Sequence, residues 1–316
     1  MTKKRYAAID IGTVTCRLLI ADADEGGLEE LRREVAITNL GEGVDASGLL
    51  KAEAMERVAV QMRRFQSVIA EYTTTEYPSV QVVALATSAS RDAENSQEFI
   101  EMLDALGIHL SVIPGEREAA LSFLGASSDF SGSDLLVVDI GGGSTEIIAG
   151  TGGQVPVFKH SFDVGCRRLT ERFLLEDPPT THELAEAKRW VTGVMEPQFT
   201  ELRDTGFEPQ LMVAVAGTAT SIVSIHDRME IYDSTKVHKS VVTDAVLEEV
   251  YSQLSSVNLT ERKQIVGLDP GRASVIVAGM LIIETVMELA HMKAFTVSET
   301  DILQGIILDT AKNDRC

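Results

Sequence analysis

Asp139 and Glu146 bracket three consecutive glycines in the run Val137-Val138-Asp139-Ile140-Gly141-Gly142-Gly143-Ser144-Thr145-Glu146-Ile147-Ile148. Two carboxylates on either side of a tight turn suit a hard cation with oxygen ligands, such as Mg²⁺. Glycines lack Cβ, so they can take positive φ and let a ligand come close to the backbone. The N–H groups of such a turn, with the Ser144 and Thr145 hydroxyls, can cradle a phosphate. The competing reading is a β-hairpin with a glycine-rich turn and two solvated acids. A glycine triplet alone favours that reading.

A second copy changes the balance. The run Ala8-Ile9-Asp10-Ile11-Gly12-Thr13-Val14-Thr15-Cys16-Arg17 follows the same template, with Asp10 aligned on Asp139, Gly12 on Gly141 and Thr15 on Ser144. Two copies at half-chain spacing point to a duplicated domain with two facing phosphate loops. Arg17 stands where the later copy has Glu146. A phosphate chain would meet a cation on one side and a metal-binding carboxylate on the other.

The elements that must position these residues can be read from periodicity. Residues 4–10 and 16–21 form a first hairpin, 35–40 a third strand, and 51–72 a helix with Met55, Val58, Ala59, Met62, Phe65, Val68 and Ile69 on one face. Residues 80–86 form a strand that delivers the polar turn 87–95 at its C-terminal end, where open α/β sheets bind ligands. Arg91 in that turn can hold a phosphate oxygen, or can merely help Asp92 to cap the next helix. A helix over 96–106 stops at Gly107, and 109–113 is a strand. Glu118 falls in the first turn of the next helix, where an acid usually only complements the dipole. The polar stretch 127–133 reads as a domain boundary.

In the second half, 135–139 and the run after the glycines repeat the hairpin, and 155–161 is a strand. Gly165 opens a helix, and another runs from about 181 to 203, with Pro197 set to kink or end it. The strand 211–216 ends in Gly217-Thr218, small residues that suit either a further phosphate contact or close helix packing. A last strand at 294–298 and a last helix at 301–310 complete the pattern.

Of 316 residues, 44% are hydrophobic and 24% charged, as in a soluble globular protein with room for two cores. Lys and Arg number 28 against 48 Asp and Glu, a formal charge of −20. That balance argues against non-specific nucleic-acid binding, which relies on a basic surface. It also means that a polyanionic substrate requires cations gathered locally. The candidates are Arg17, Arg91, Arg167, Arg168, Lys236, His238, Lys239, Arg262 and Arg272, most of them surface charges on the plainest reading. The most apolar stretch, 274–290, contains Glu284 and Glu288 and reads as a buried helix, so no membrane association is expected. Asp10 interrupts the apolar run after the basic residues 1–5, so no secretory leader is expected. Cys16, Cys166 and Cys316 lack metal-ligand spacing and cannot all pair, which fits a reducing cytoplasm.

The chain resembles the exopolyphosphatase and guanosine pentaphosphatase (Ppx/GppA) family of the sugar kinase–Hsp70–actin superfamily. The resemblance spans nearly the whole chain. It is carried by Asp10-Ile11-Gly12-Thr13, by Ala86 to Asn95, by Gly115-Glu116-Arg117-Glu118-Ala119 and by Asp139 to Glu146. It continues in Arg262 with Gly267-Leu268-Asp269-Pro270, in Arg272-Ala273 and in Val297-Ser298-Glu299. It implies an α/β fold of two duplicated ribonuclease-H-like (actin-like ATPase) domains with an interdomain cleft. The domains would be 1–126 with a returning C-terminal helix at 300–316, and 127–299. The extra C-terminal helical domains of long members are expected to be absent.

The resemblance also assigns roles. Glu118 looks like the catalytic base, and Asp139 and Glu146 like the carboxylates that hold a divalent cation (Mg or Mn) and position water. Arg91 looks like a ligand of the phosphate chain. Asp10, Gly12, Thr13, Arg17, Gly141, Gly142, Gly143, Ser144, Thr145, Gly217 and Thr218 complete the expected phosphate-binding set. Two departures stand out: Val14 where many members have asparagine, and Ala216 where a second glycine is frequent. The expected reaction is hydrolysis of the terminal phosphoanhydride of inorganic polyphosphate or guanosine pentaphosphate, in a chain that allows for a homodimer. The rivals are an ATP-dependent kinase of the superfamily and a non-catalytic sensor of polyphosphate or guanosine tetraphosphate.

Overall fold

The computed structural model describes residues 3–24 and 27–314. Met1, Thr2 and Cys316, together with the last two residues of the expected segment 300–316, lie outside them. The described chain divides into two compact units, 1–125 with 301–316, and Ala126–Thr300.

In unit 1 the strands β1 (Lys4–Ile11), β2 (Thr15–Asp24) and β3 (Gly27–Ile37) form an antiparallel meander. The short helix α1 (Val44–Ser47) and the long α2 (Ala52–Glu71) then cross to β4 (Gln81–Ala86), which pairs parallel to β1. Helices α3 (Ser88–Asp92) and α4 (Ser96–Asp104) lead to β5 (Leu110–Val112), parallel to β4, and α5 (Gly115–Ala126) follows. The sheet order is β3-β2-β1-β4-β5. The third strand is longer than its apolar end at 35–40 announces. Its first half is an exposed, charged edge, which apolar patterning does not mark.

Alternation along β1 and β2 builds two cores. Ala7, Ile9, Ile11, Cys16, Leu18 and Ile20 face a layer with Val58, Met62, Phe65, Phe99 and Leu103 from α2 and α4. Tyr6, Ala8, Leu19 and Ala21 face a layer with Leu121, Ile302, Leu303 and Ile306.

Unit 2 opens with a 3₁₀ turn at Ser127–Asp129 and repeats the plan. Strands β6 (Asp134–Ile140), β7 (Thr145–Thr151) and β8 (Phe158–Phe162) form the meander. Helices α6 (Cys166–Phe173) and α7 (Thr181–Asp204) lead to β9 (Leu211–Val215), parallel to β6. Then come α8 (Ala216–His226), α9 (Ser234–Val237), β10 (Val241–Thr243), α10 (Asp244–Ser255), α11 (Leu259–Arg262), α12 (Ile276–Leu289) and β11 (Ala294–Val297), the last parallel to β9. The order is β10-β11-β9-β6-β7-β8. Read from β8 to β11 it matches the sheet of unit 1 strand for strand. The final helix, α13 (Ile302–Asn313), belongs to unit 1 and packs on β1, β2 and β3.

Two expectations are corrected here. Pro197 lies inside α7 and does not end it; the helix runs on to Asp204. Arg262, one of the candidate cations, is a buried staple. Its guanidinium donates to the carbonyls of Leu254 (2.8 Å), Val257 (2.6 Å) and Ala273 (3.2 Å) and to Asp177 (3.3 Å). Carbonyls consume its donors, so it serves the fold of unit 2 rather than a ligand.

Candidate active site

The two glycine turns are the same turn. In unit 1, Gly12 N–H donates to Thr15 C=O (2.9 Å), and in unit 2, Gly141 N–H donates to Ser144 C=O (3.0 Å). Asp10 faces Arg17 across the first hairpin and Asp139 faces Glu146 across the second.

What points the amides outward is how the carbonyls are held. In unit 2, Gly141 C=O accepts from Cys166 N (3.0 Å), and Gly142 C=O accepts from Arg167 N (2.8 Å) and Arg168 N (3.2 Å). Gly143 C=O accepts from Arg168 Nε (2.9 Å). In a planar trans peptide the C=O and the N–H that follows it point in opposite directions. Pinning three successive carbonyls to the start of α6 therefore turns the N–H groups of Gly142, Gly143 and Ser144 the other way. Among the described residues no acceptor engages the N–H of Gly142 or Gly143. Such a row of amides is an anion-binding concavity. Close approach is obligatory, since a Cβ on Gly165 would lie 2.4 Å from the Gly142 carbonyl carbon.

The first turn is held by a different device. Thr13 C=O accepts from Gly41 N (2.9 Å), and Val14 C=O accepts from Thr38 N and Asn39 N (both 2.9 Å). The Val14 N–H is thereby turned away from that segment. The buried valine gives the turn no polar side chain, while its backbone amide remains, as in any residue but proline.

Around the first turn, the ends of three parallel strands meet. Thr87 N donates to Ile11 C=O (3.3 Å), which sets α3 beside the hairpin. Arg91 on α3 donates through Nη1 to Ile113 C=O (3.1 Å) and to Glu118 Oε2 (3.2 Å). The base candidate and the phosphate-ligand candidate are thus one ion pair, with Glu118 buried at the start of α5. Arg17 departs from expectation. Its Nε and Nη2 donate to Asp10 Oδ2 (3.0 and 2.7 Å), and its Nη1 donates to Asp301. The carboxylates of Asp10 and Asp301 engage it, so Asp10 and Arg17 act behind the turn. Burial pushes the Asp10 carboxyl up, with Arg17 pulling the other way and Asp301 adding to the rise.

In unit 2, Asp139 and Glu146 are buried, and Ser161 Oγ donates to Glu146 Oε1 (2.7 Å). The expected Thr145 ligand is corrected. Its hydroxyl donates to Val164 C=O (2.6 Å) in a fully buried position, where it braces the turn. At the end of β9, beside Asp139 in register, Ala216 takes φ 64° and Gly217 follows. A Cβ on Gly217 would lie 1.4 Å from Arg272 Nη1, so the glycine makes room for that guanidinium. Thr218 is buried against Gly279 of α12, which supports the packing reading for its side chain. Cys16 and Cys166 are buried free thiols, and burial pushes Cys16 up to about 12. Among the described residues no helix is long and apolar enough to cross a membrane.

Sequence reasoning missed Ser161, Asp301 and the Nε contact of Arg168. Ser161 had a signal, since its strand was expected. The other two act across folds of the chain that periodicity does not register.

Residues 19–314 match the Ppx/GppA phosphatase family. The chain is 39% identical to exopolyphosphatase 2 of Mycobacterium tuberculosis, over 98% of this chain and 100% of that one. The crystal structure of an exopolyphosphatase-like protein has a TM-score of 0.91 at 33% identity, covering 100% of both chains. That of an exopolyphosphatase from Cytophaga hutchinsonii has a TM-score of 0.87 at 28% identity, covering 98% of each.

Proposed function

Since the chain belongs to the Ppx/GppA phosphatase family, we propose that it is an exopolyphosphatase, releasing the terminal phosphate of inorganic polyphosphate by in-line attack of water. The observation that carries this reading is the row of outward amides at Gly142, Gly143 and Ser144 beside two buried carboxylates. Phosphoryl transfer depends mostly on positioning and charge stabilisation, which such fixed dipoles supply without reorganising.

The terminal phosphate oxygens sit against those amides. Glu118 takes the proton from the attacking water. Arg91, bonded to both Glu118 and the Ile113 carbonyl, fixes the direction of that carboxylate. The leaving chain is itself a phosphate and needs little help from an acid.

Asp139 and Glu146 fit a divalent cation, Mg²⁺ or Mn²⁺. Among the described residues no group of three or more His, Cys, Asp or Glu is gathered for a metal. Two carboxylates are an incomplete shell, which is how Mg²⁺ binds when it keeps water and takes phosphate oxygens as ligands. When bound, the ion neutralises charge on the phosphate oxygens. Ser161 holds one oxygen of Glu146 and so orients it.

The test is phosphate release from long polyphosphate and from guanosine pentaphosphate, side by side, with Mg²⁺ and with Mn²⁺. Polyphosphate is the expected substrate. Glu118→Gln keeps the size and loses the proton acceptor, so the rate should fall at least about a hundredfold while polyphosphate binding persists. Turnover of the variant within a few-fold of wild type would remove Glu118 as base. Release from guanosine pentaphosphate alone would replace the substrate.

A further inference from the structure

Asp301 stands where the chain re-enters unit 1, and its two carboxylate oxygens do different things. Oδ1 accepts from Leu303 N (3.0 Å), while Asp301 N donates to Gln304 Oε1 (2.9 Å), a capping box at the start of α13. Oδ2 accepts from Nη1 of Arg17, whose other nitrogens hold Asp10. One guanidinium therefore bridges two buried carboxylates, Asp10 at 5% and Asp301 at 4% exposure.

The helix start that carries Asp301 is itself fixed. A Cβ on Gly125 would lie 1.8 Å from Asp301 O, and one on Gly305 would lie 1.9 Å from Leu121 O. Leu121 and Gly125 belong to α5, the helix that begins with Glu118. The same short stretch of backbone thus touches the helix of the base and, through Arg17, the hairpin of the first turn.

Stability is a weak reason for this bridge. A buried ion pair gains little net stability over its desolvation cost, and the helix cap uses only Oδ1. We infer that Asp301 is a positioning residue for the reaction: through Arg17 it fixes Asp10 and the turn Gly12-Thr13-Val14 relative to the helix that bears Glu118. This rests on the functional reading given above.

A kinetic double-mutant cycle tests it. Asp301→Asn keeps the size and remains a good N-cap, so its melting temperature should stay within a few degrees of wild type. Its kcat/KM for polyphosphate should fall about tenfold, as should that of Arg17→Met. The double variant should be no worse than Arg17→Met alone, because Asp301 acts only through Arg17. A merely structural role would not produce that pattern. Should Arg17→Met fail to fold, Arg17→Lys closes the same cycle. Wild-type kcat/KM in Asp301→Asn, or a double variant showing the product of the two losses, overturns the inference. An active wild type with an inactive Glu118→Gln upholds the functional reading whatever the cycle gives. If wild type is inactive, the same cycle is read as affinity for tripolyphosphate by calorimetry.

Discussion

Ala216 illustrates how one side chain reports on the site it occupies. Its φ of 64° lies in the left-handed region, where a Cβ meets the following carbonyl. The position directly precedes Gly217 and the Arg272 guanidinium that lies against it. A glycine here would satisfy the backbone without strain; this chain retains the strain at its candidate site, where such outliers tend to gather. Ala216→Gly should stabilise the protein by up to about 1 kcal/mol, less the glycine's greater freedom when unfolded. The melting temperature should then rise by roughly one to three degrees. A calorimetric scan showing a lower midpoint would mean that the alanine methyl packs favourably enough to outweigh its backbone. Arg91 and Glu118 teach the complementary lesson. Arg91 was an open choice from its turn, and Glu118 owed its assignment to the family resemblance; the 3.2 Å contact between them was not legible, because it joins helices that follow different strands.

Among the elements, α6 matters most to the chemistry although it contributes no proposed ligand. Its first turn collects the carbonyls of Gly141, Gly142 and Gly143, and the price of that embrace is Gly165. In Gly165→Ala the new Cβ would meet backbone on both Gly142 and Gly143, which cannot yield as a flexible side chain would. The turn should shift, loosening the amides that face the phosphate. We expect kcat/KM for polyphosphate to fall tenfold or more, with the far-ultraviolet circular dichroism unchanged. Full activity in this variant would show that the glycine turn does not hold the reacting phosphate. Strand pairing of both hairpins was readable from alternation and from the repeated template, since register follows from pattern. The carbonyl pins were not, since any residue supplies a backbone N–H. Arg262 was misread for a related reason. A lone arginine between helices carries no sequence mark that separates a surface cation from one buried among carbonyls.

For the whole molecule, charge sets the terms of encounter. At −20 the protein should repel a polyanion at long range. Monovalent salt screens that repulsion beyond about 10 Å at 0.1 M, while contacts inside the site are screened less. Raising salt from about 20 to 200 mM at fixed Mg²⁺ should therefore leave kcat/KM for long polyphosphate unchanged or raise it up to a few-fold. A steep fall, of the kind basic nucleic-acid binders show, would reveal a cationic track that the composition hides. The duplicated plan was visible at this scale, because the two hairpin templates sit half a chain apart. The ion bridge from Arg17 to Asp301 was not, as its partners are separated by the whole of unit 2.

That separation has a consequence in time. The chain leaves unit 1 at Gly125 and rejoins it at Asp301. On the ribosome, the face of the first sheet formed by Tyr6, Ala8, Leu19 and Ala21 must wait, without α13, while residues 126–300 are made. At ordinary elongation rates the wait is on the order of ten to thirty seconds. Unit 2 is continuous and can fold during it. The older half of the protein is finished by the younger end, and Arg17 acquires its second acid only when translation has passed Asp301. Chains released before that point would carry both glycine turns and both unit-2 carboxylates, yet lack the bridge behind the first turn, so hydrolytic competence is tied to having been read through.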